Sequence, residues 1–405
     1  MNPFSFCAWG VGFLCLVRWF EMYVTDRDSA LAAMNAFLPR AGGAYAGRRN
    51  YDLGPGRHTG VSGLSPWIQS RLLSEWEVMD AVVARQGAER ASKFIDEVCW
   101  RTYWKGWLQL RPSVWDEYLE SLTAARLEWA GATLYEGVLS GASGFECMDA
   151  WATELVETGY LHNHARMWFA SIWVHTLKLP WVLGADFFLR HLLDGDAASN
   201  TLSWRWVAGL HTVGKTYLAR ADNIRKYTEG RFAVEESLAT EPVIPAEGAL
   251  PPAGVLPELG MPPSALGLRL GLLMHEGDLS VLRWMDLADS LEVCGGFFPS
   301  ATYDSFGISK AVQSFRMESL RGALPEGAPL FEEIDAFVEW AREQKLEGLV
   351  LSEVHVGLWN VPFKSLCEAL AEAGIQVFQV RCEWDAHFHP RARAGFFRFK
   401  QAIPK

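Results

Sequence analysis

No Cys-x-x-Cys pair and no regular cysteine spacing occur in this chain, whose seven cysteines fall at positions 7, 15, 99, 147, 294, 367 and 382. The pattern reads as a reducing, cytoplasmic setting, with no structural zinc and no iron–sulfur cluster expected. An uncharged apolar run of about 20 residues, the length a membrane-spanning helix needs, is also missing. Residues 1–17 carry no charge, but they are too few to span and lack the positive start and small-residue cleavage site of a signal peptide. We therefore read 1–21 as an apolar N-terminal segment outside the fold, with Met22 as an alternative start and no stable membrane association expected. Net positive charge is lacking too: the formal charge is -11 at pH 7, which disfavours phosphate contact by the chain as a whole. The deficit is uneven, because residues 1–231 carry 23 Lys+Arg against 24 Asp+Glu whereas residues 232–405 carry 14 against 24. A basic face for nucleic acid is expected only in the first half.

What is present is length and aromatic mass. A chain of 405 residues is enough for two or three domains, each with its own core. Its 19 tryptophans are more than cores usually need and raise the prospect of stacking or electron-transfer duty. Apolar residues at three and four spacing predict helices over 27–38, 88–110, 147–158 and 163–177, within a stretch from Asp26 to about Lys226 that reads as nearly all helix. Ser74 with Glu77 has the form of a capping box. Residues 235–265 hold seven prolines, which stiffen the backbone toward polyproline II and mark a linker. Beyond it, strand-like runs at 267–274, 348–352 and 375–380 alternate with helical stretches near 308–322, 331–345 and 363–373. That alternation predicts a largely parallel sheet. The expected fold class is α + α/β: an all-helical domain over 22–234, then a small α/β, Rossmann-like domain over 266–405.

Three groups of residues have the makings of a site. On a helix, Asn163, Arg166, Met167 and Ala170 share one face. An arginine on a face otherwise turned inward must be paired, and Asp194 is the partner candidate, with Asp196 and Asn200 just beyond. A structural ion pair with two helix caps explains these residues equally well. Glu97, Trp100 and Arg101 share a second face, where a carboxylate beside an aromatic plate suits recognition of a base by hydrogen bond plus stacking; an aromatic core helix with a surface ion pair is the plainer alternative. Val61, Ser62, Gly63, Leu64 and Ser65 place two hydroxyls around a glycine before a helix start, an arrangement that binds phosphate oxygens or merely caps the helix. The run Cys382, Glu383, Asp385, His387, His389 alternates like one face of a strand, but no tetrahedral ligand pattern accompanies it and no metal is expected.

Taken together and in this order, these elements resemble the FAD-binding helical domain of the DNA photolyase and cryptochrome family, from about Tyr51 to Phe232. The resemblance, and not composition or spacing, implies FAD as cofactor. It implies that Tyr51 and Val61 to Ser65 line the phosphates, with Val61 where the family usually has Thr, and that Arg101 lies on the cofactor side. Arg166 and Asp194 would form an ion pair beside the isoalloxazine, Asp196 would face the ring's polar edge, and Asn200 would sit by N5. In the family's cyclobutane-dimer repair enzymes the lesion pocket uses a Glu, two Trp, an Asn and a Met, and Glu97, Trp100, Trp206, Asn163 and Met167 occupy those places. Enzymes that repair the (6-4) photoproduct would carry His at Asn163 and Met167, so that chemistry is not expected. The implied activity is blue-light splitting of pyrimidine dimers in UV-damaged DNA, with the dimer flipped out. A cryptochrome-like photoreceptor that signals without repair is the rival, and a dark flavoprotein is the third reading.

Two departures stand out. The family's tryptophan relay maps to Trp204 and Trp181, but its surface position falls on Val138; Tyr135, Trp129 or Trp151 would have to substitute. Members normally begin with an α/β antenna domain, whereas here the α/β segment follows the helices and faintly resembles that domain moved to the C-terminus. A second, antenna chromophore stays unidentified.

Overall fold

The computed structural model describes residues 23–212, 215–234, 237–246, 249–261, 267–285 and 291–401. The apolar segment 1–21 lies outside the described residues, as do parts of the expected linker. Ten helices that bear on the site come first: α1 Arg27–Phe37, α2 Ser65–Gln69, α3 Glu75–Gln86, α4 Ser92–Gln109, α5 Ser113–Glu128, α6 Thr133–Leu139, α7 Glu146–Thr158, α8 Asn163–Ser171, α9 Trp181–His191 and α10 Ala197–Val207. The capping box at α3 forms as the sequence predicts: Ser74 accepts from the Glu77 backbone while the Glu77 carboxylate accepts from the Ser74 backbone at 2.9 Å. At α10, Asp196 accepts from Ala198 and Ser199, both at 2.9 Å. α8 runs directly into a π-helical turn, Ile172–Thr176.

Most of the tryptophans prove to be core. Trp115, Trp151, Trp168 and Trp173 are among the largest fully buried side chains. Trp151 stacks on Trp168 at 5.6 Å and donates from its indole to Asp52 at 2.9 Å, which satisfies the one polar atom such a residue brings inside.

The second half forms a five-stranded sheet in the order β3-β2-β1-β4-β5, every pair parallel. Its strands are β1 Leu270–Met274, β2 Leu291–Phe297, β3 Leu330–Phe331, β4 Gly348–Ser352 and β5 Gln376–Val380. β1 and β4 are buried along their whole length, as expected of central strands covered on both faces. Side chains alternate between two cores: Leu272, Met274 and Val350 join the core shared with the helices, while Leu273, Leu349 and Leu351 face a separate cluster. Helix α11 Lys310–Ala323 covers the first face, and α12 Ile334–Glu343 with α13 Asn360–Glu372 covers the second. Two short helices close the chain, α14 Glu383–Phe388 and α15 Phe396–Lys400. The run from Glu383 is thus helical and not a strand, which corrects the alternation read from the sequence. Its apolar residues Trp384 and Phe388 pack together at 4.6 Å, and one helical turn, not a two-residue repeat, relates Asp385 to His389.

The proline-rich stretch carries no helix or strand among its described residues. It is strapped down by hydrogen bonds from Gly254 to the Leu110 carbonyl at 2.8 Å and from Arg111 to the Pro251 carbonyl at 3.0 Å. The sheet meets the helices through buried polar contacts. Arg71, 1% exposed, donates to Glu75 at 2.9 Å, Asp278 at 3.0 Å and Asp385 at 2.7 Å. Among the described residues no helix is long and apolar enough to cross a membrane.

Candidate flavin site

Helices and loops of the first half enclose a cavity of about 560 Å³, within the range of roughly 300–1,000 Å³ that small-molecule and cofactor sites occupy. The 3.6-residue helical repeat turns Glu97, Trp100, Arg101 and Trp104 of α4 into it, and likewise Asn163, Arg166, Met167 and Ala170 of α8. α10 adds Ser199, Asn200, Ser203, Trp204 and Trp206; the loops add Val61, Ser62, Gly63, Asp194 and Asp196. Asp196, Asn200 and Trp204 are buried, whereas Glu97, Trp100, Met167 and Trp206 are half-buried and Asn163 and Ser203 exposed. The cavity thus has a dry floor and a wetter mouth.

At the floor, Arg166 donates to Asp194 at 2.8 Å and to the Leu161 carbonyl at 2.8 Å. Burial would lower the pKa of Arg166, but the Asp194 carboxylate beside it holds it above its ordinary value. Arg101 donates to Asp196 at 2.8 Å, to Glu75 at 3.2 Å and to the Gln69 carbonyl at 2.9 Å. Against the penalty of burial, Arg101 and Lys105 keep Asp196 below the ordinary aspartate range. Both Asp196 oxygens are engaged, one by Arg101 and one by the α10 cap, so Asp196 orients α10 and Arg101. The Asn200 amide donates to the Ala185 carbonyl at 2.7 Å. Asp194 Oδ1 and Ser199 Oγ are buried without a hydrogen-bond partner, and such atoms at a cavity wall await one.

At the mouth, Glu97 is bonded to Arg49. Burial raises its pKa, with Arg49 opposing. Trp100 is clamped from behind by Phe396 of α15, stacked at 3.6 Å with planes 8° apart. Trp206 stacks on Tyr217 at 6.0 Å.

Some expected residues fall elsewhere. Tyr51 does not line the cavity; its ring meets Tyr227 at 5.1 Å and lies under the Arg48 guanidinium at 4.5 Å. Leu64 is fully buried behind the loop. Trp181 also lies outside the lining, 5.7 Å from Tyr118 and 5.5 Å from the Arg205 guanidinium. Val138, the expected outer end of the relay, is fully buried and no surface residue. Ring contacts run from Trp204 to Trp173 at 6.0 Å and on to Tyr135 at 6.0 Å. Arg49, Tyr160, His164, Phe188, Ser199 and Ser203 line the cavity without having been expected. Ser199 and Ser203 flank Asn200 on its helix and were readable from spacing; Arg49 caps the short helix Gly43–Arg48, where no periodicity singles it out.

Aromatic walls, an arginine–aspartate pair, an anchored amide and unsatisfied polar atoms define a helical protein that holds a flat, polar-edged cofactor. Residues 94–230 match the FAD binding domain of DNA photolyase, and that match gives FAD as the cofactor of this stretch. A deoxyribodipyrimidine photo-lyase of Neurospora crassa is 31% identical over 201 residues, 48% of this chain and 32% of that protein. One of Thermus thermophilus is 34% identical over 187 residues, 45% and 42% of the two chains. The chain therefore spans less than half the length of these curated relatives. Among solved structures, a class III photolyase of Agrobacterium tumefaciens aligns with a TM-score of 0.43 at 23% identity, over 53% of this chain and 47% of that one. A Synechocystis cryptochrome aligns at 0.42 and 22%, over 50% and 43%.

Proposed function

We propose that this protein is a light-driven DNA repair flavoenzyme that splits cyclobutane pyrimidine dimers. The observation that carries the reading is convergence: Glu97 and Trp100 of α4, Asn163 and Met167 of α8, and Trp206 of α10 come from segments far apart in sequence and line one mouth over one floor. When bound, the flavin supplies light absorption and one-electron transfer; the chain's residues position and shield. Trp100, braced by Phe396, and Trp206, braced by Tyr217, offer two flat plates on which extruded bases stack. Glu97, its pKa raised by burial, offers a carboxyl proton to base carbonyls. Asn163 and Met167 fill the remaining wall with one polar and one adaptable apolar side chain. Below, the Arg166–Asp194 pair and Asn200 hold the cofactor's polar edge.

The test uses the purified full chain, chemically reduced, with an oligonucleotide carrying a thymine dimer under blue light. Dimer is expected to disappear under illumination and to persist in the dark. No loss above the dark control overturns the repair reading, and a retained flavin in that case favours a photoreceptor.

A further inference from the structure

The strand order reverses between β1 and β4, and in open parallel sheets ligands collect in the crevice at the carboxyl ends of the strands beside that point. In this chain the helical half closes the crevice, leaving a small cavity of about 80 Å³ that His275, His355, Lys105 and Gln109 help to line. Beside it four side chains of ligand type meet. Glu353 and His355 follow β4, Asp385 sits in α14, and His389 lies one turn further on. One donor atom from each lies within 4.8 Å of all the others. His355 Nε2 is 3.3 Å from Asp385 and 3.9 Å from Glu353, and His389 Nε2 is 3.1 Å from Asp385.

The histidines carry the argument. His389 is 0% exposed, yet neither of its ring nitrogens has a hydrogen-bond partner, and His355 Nε2 lacks one as well. Buried nitrogens are normally satisfied. The two Nε2 atoms sit against carboxylate oxygens at 3.1–3.9 Å, the separations expected of neighbouring ligands: atoms each about 2.0–2.2 Å from one ion lie roughly 3–4 Å apart. The carboxylates are held from outside, as ligating carboxylates are. Arg381 grips Glu353 at 2.6 and 2.7 Å, Gln109 donates to it at 2.9 Å, and Arg71 donates to Asp385 at 2.7 Å. His355 opens the cluster to the small cavity, which supplies an entry path.

We propose that Glu353, His355, Asp385 and His389 bind one divalent ion of the zinc class. Two imidazoles and two carboxylates suit zinc, and a closed set of four protein ligands is the structural kind of site. The ion clips the C-terminal segment to the loop after β4, while His389 packs against α4 so closely that a Cβ on Gly106 would lie 2.8 Å from the His389 Cα. The site is independent of the flavin cavity, so its test does not depend on the repair reading.

The full chain, stripped with chelator and dialysed, is titrated with zinc chloride and separately with cobalt chloride. About one equivalent of zinc is expected to survive gel filtration, Tm to rise with zinc and fall on chelation, and cobalt to give visible ligand-field absorption to the red of the flavin bands. His355→Gln and His389→Gln should each raise the zinc Kd by at least about tenfold. A wild-type chain that retains no stoichiometric zinc and whose Tm ignores it overturns the proposal, whatever the variants do. Unchanged zinc binding in both folded variants overturns it equally, by placing the ion elsewhere.

Discussion

Glu97 shows how one side chain's surroundings set its chemistry. Burial disfavours its charged form more than Arg49 favours it, so its pKa stands above the ordinary glutamate value. A raised value means the proton is retained to higher pH, and donor function is lost as pH rises through it. Under the proposed function, dimer splitting should therefore decline on the alkaline side, as followed by dimer loss against pH. Glu97→Ala should lower splitting by about 10²–10⁴-fold if the carboxyl works as a general acid, with flavin absorbance retained. Glu97→Gln, which keeps an N–H donor, should retain more activity than Glu97→Ala and remove the alkaline decline. Equal loss in both variants would show that packing, not donation, is what Glu97 contributes. The pairing of Glu97 with Trp100 was legible because three residues make nearly one helical turn; its partner Arg49 was not, because nothing local connects residue 49 to residue 97.

Elements decide where an aromatic chain can run. Trp204 on α10, Trp173 in the π-helical turn and Tyr135 on α6 form consecutive ring contacts, and Gly184 of α9 is what lets the first two approach. A Cβ there would lie 2.3 Å from Trp204 and 3.0 Å from Trp173. Trp173→Phe is expected to slow photoreduction of the bound flavin more than Trp181→Phe does, measured as the rate of bleaching of oxidised flavin under blue light with an external reductant. The reverse order would return the path to Trp181. Helix starts such as Ser74–Glu77 were readable because a cap is satisfied within four residues. β2 escaped notice since Leu291–Phe297 contains Glu292, Gly295 and Gly296, residues that weaken strand propensity; its pairing with β1 makes it a strand. The run from Glu383 was misread because its residues alternate locally, while packing of Trp384 and Phe388 against α4 and α15 makes a helix the better burial.

At the scale of the whole molecule, buried neutral histidines link stability to pH. Burial brings His191, His211 and His355 down to about 4 and His162 to about 3. Unfolded, each binds a proton below about 6.5, so between about pH 6.5 and 4 the unfolded chain holds more protons than the folded one. Stability must then fall as pH falls through that window. Tm, by calorimetry, is expected to drop steadily from pH 6.5 to 4, and a flat profile would show these histidines to be charged in the fold. The Arg71 hub, which pairs with Glu75 one turn away and with Asp385 of the C-terminal helices, adds to the loss below the ordinary carboxylate range. Asp385 is held well below that range, its burial outweighed by Arg71.

The sequence by itself determined the helix faces that carry Glu97, Trp100, Asn163 and Arg166, the capping box, the change from helical to alternating pattern and the resemblance to a flavin-binding domain. All but the resemblance, which rests on the order of motifs from about Tyr51 to Phe232, are relations among residues a few positions apart, fixed by local repeat or local hydrogen bonding. Only the tertiary structure decided that Phe396 backs Trp100, that Trp173 lies beside Trp204, and that two histidines and two carboxylates from β4 and the C-terminal helices share one buried point. Those are meetings of surfaces distant in sequence, and which surfaces meet is set by how the whole chain buries its apolar area, a choice no local pattern records.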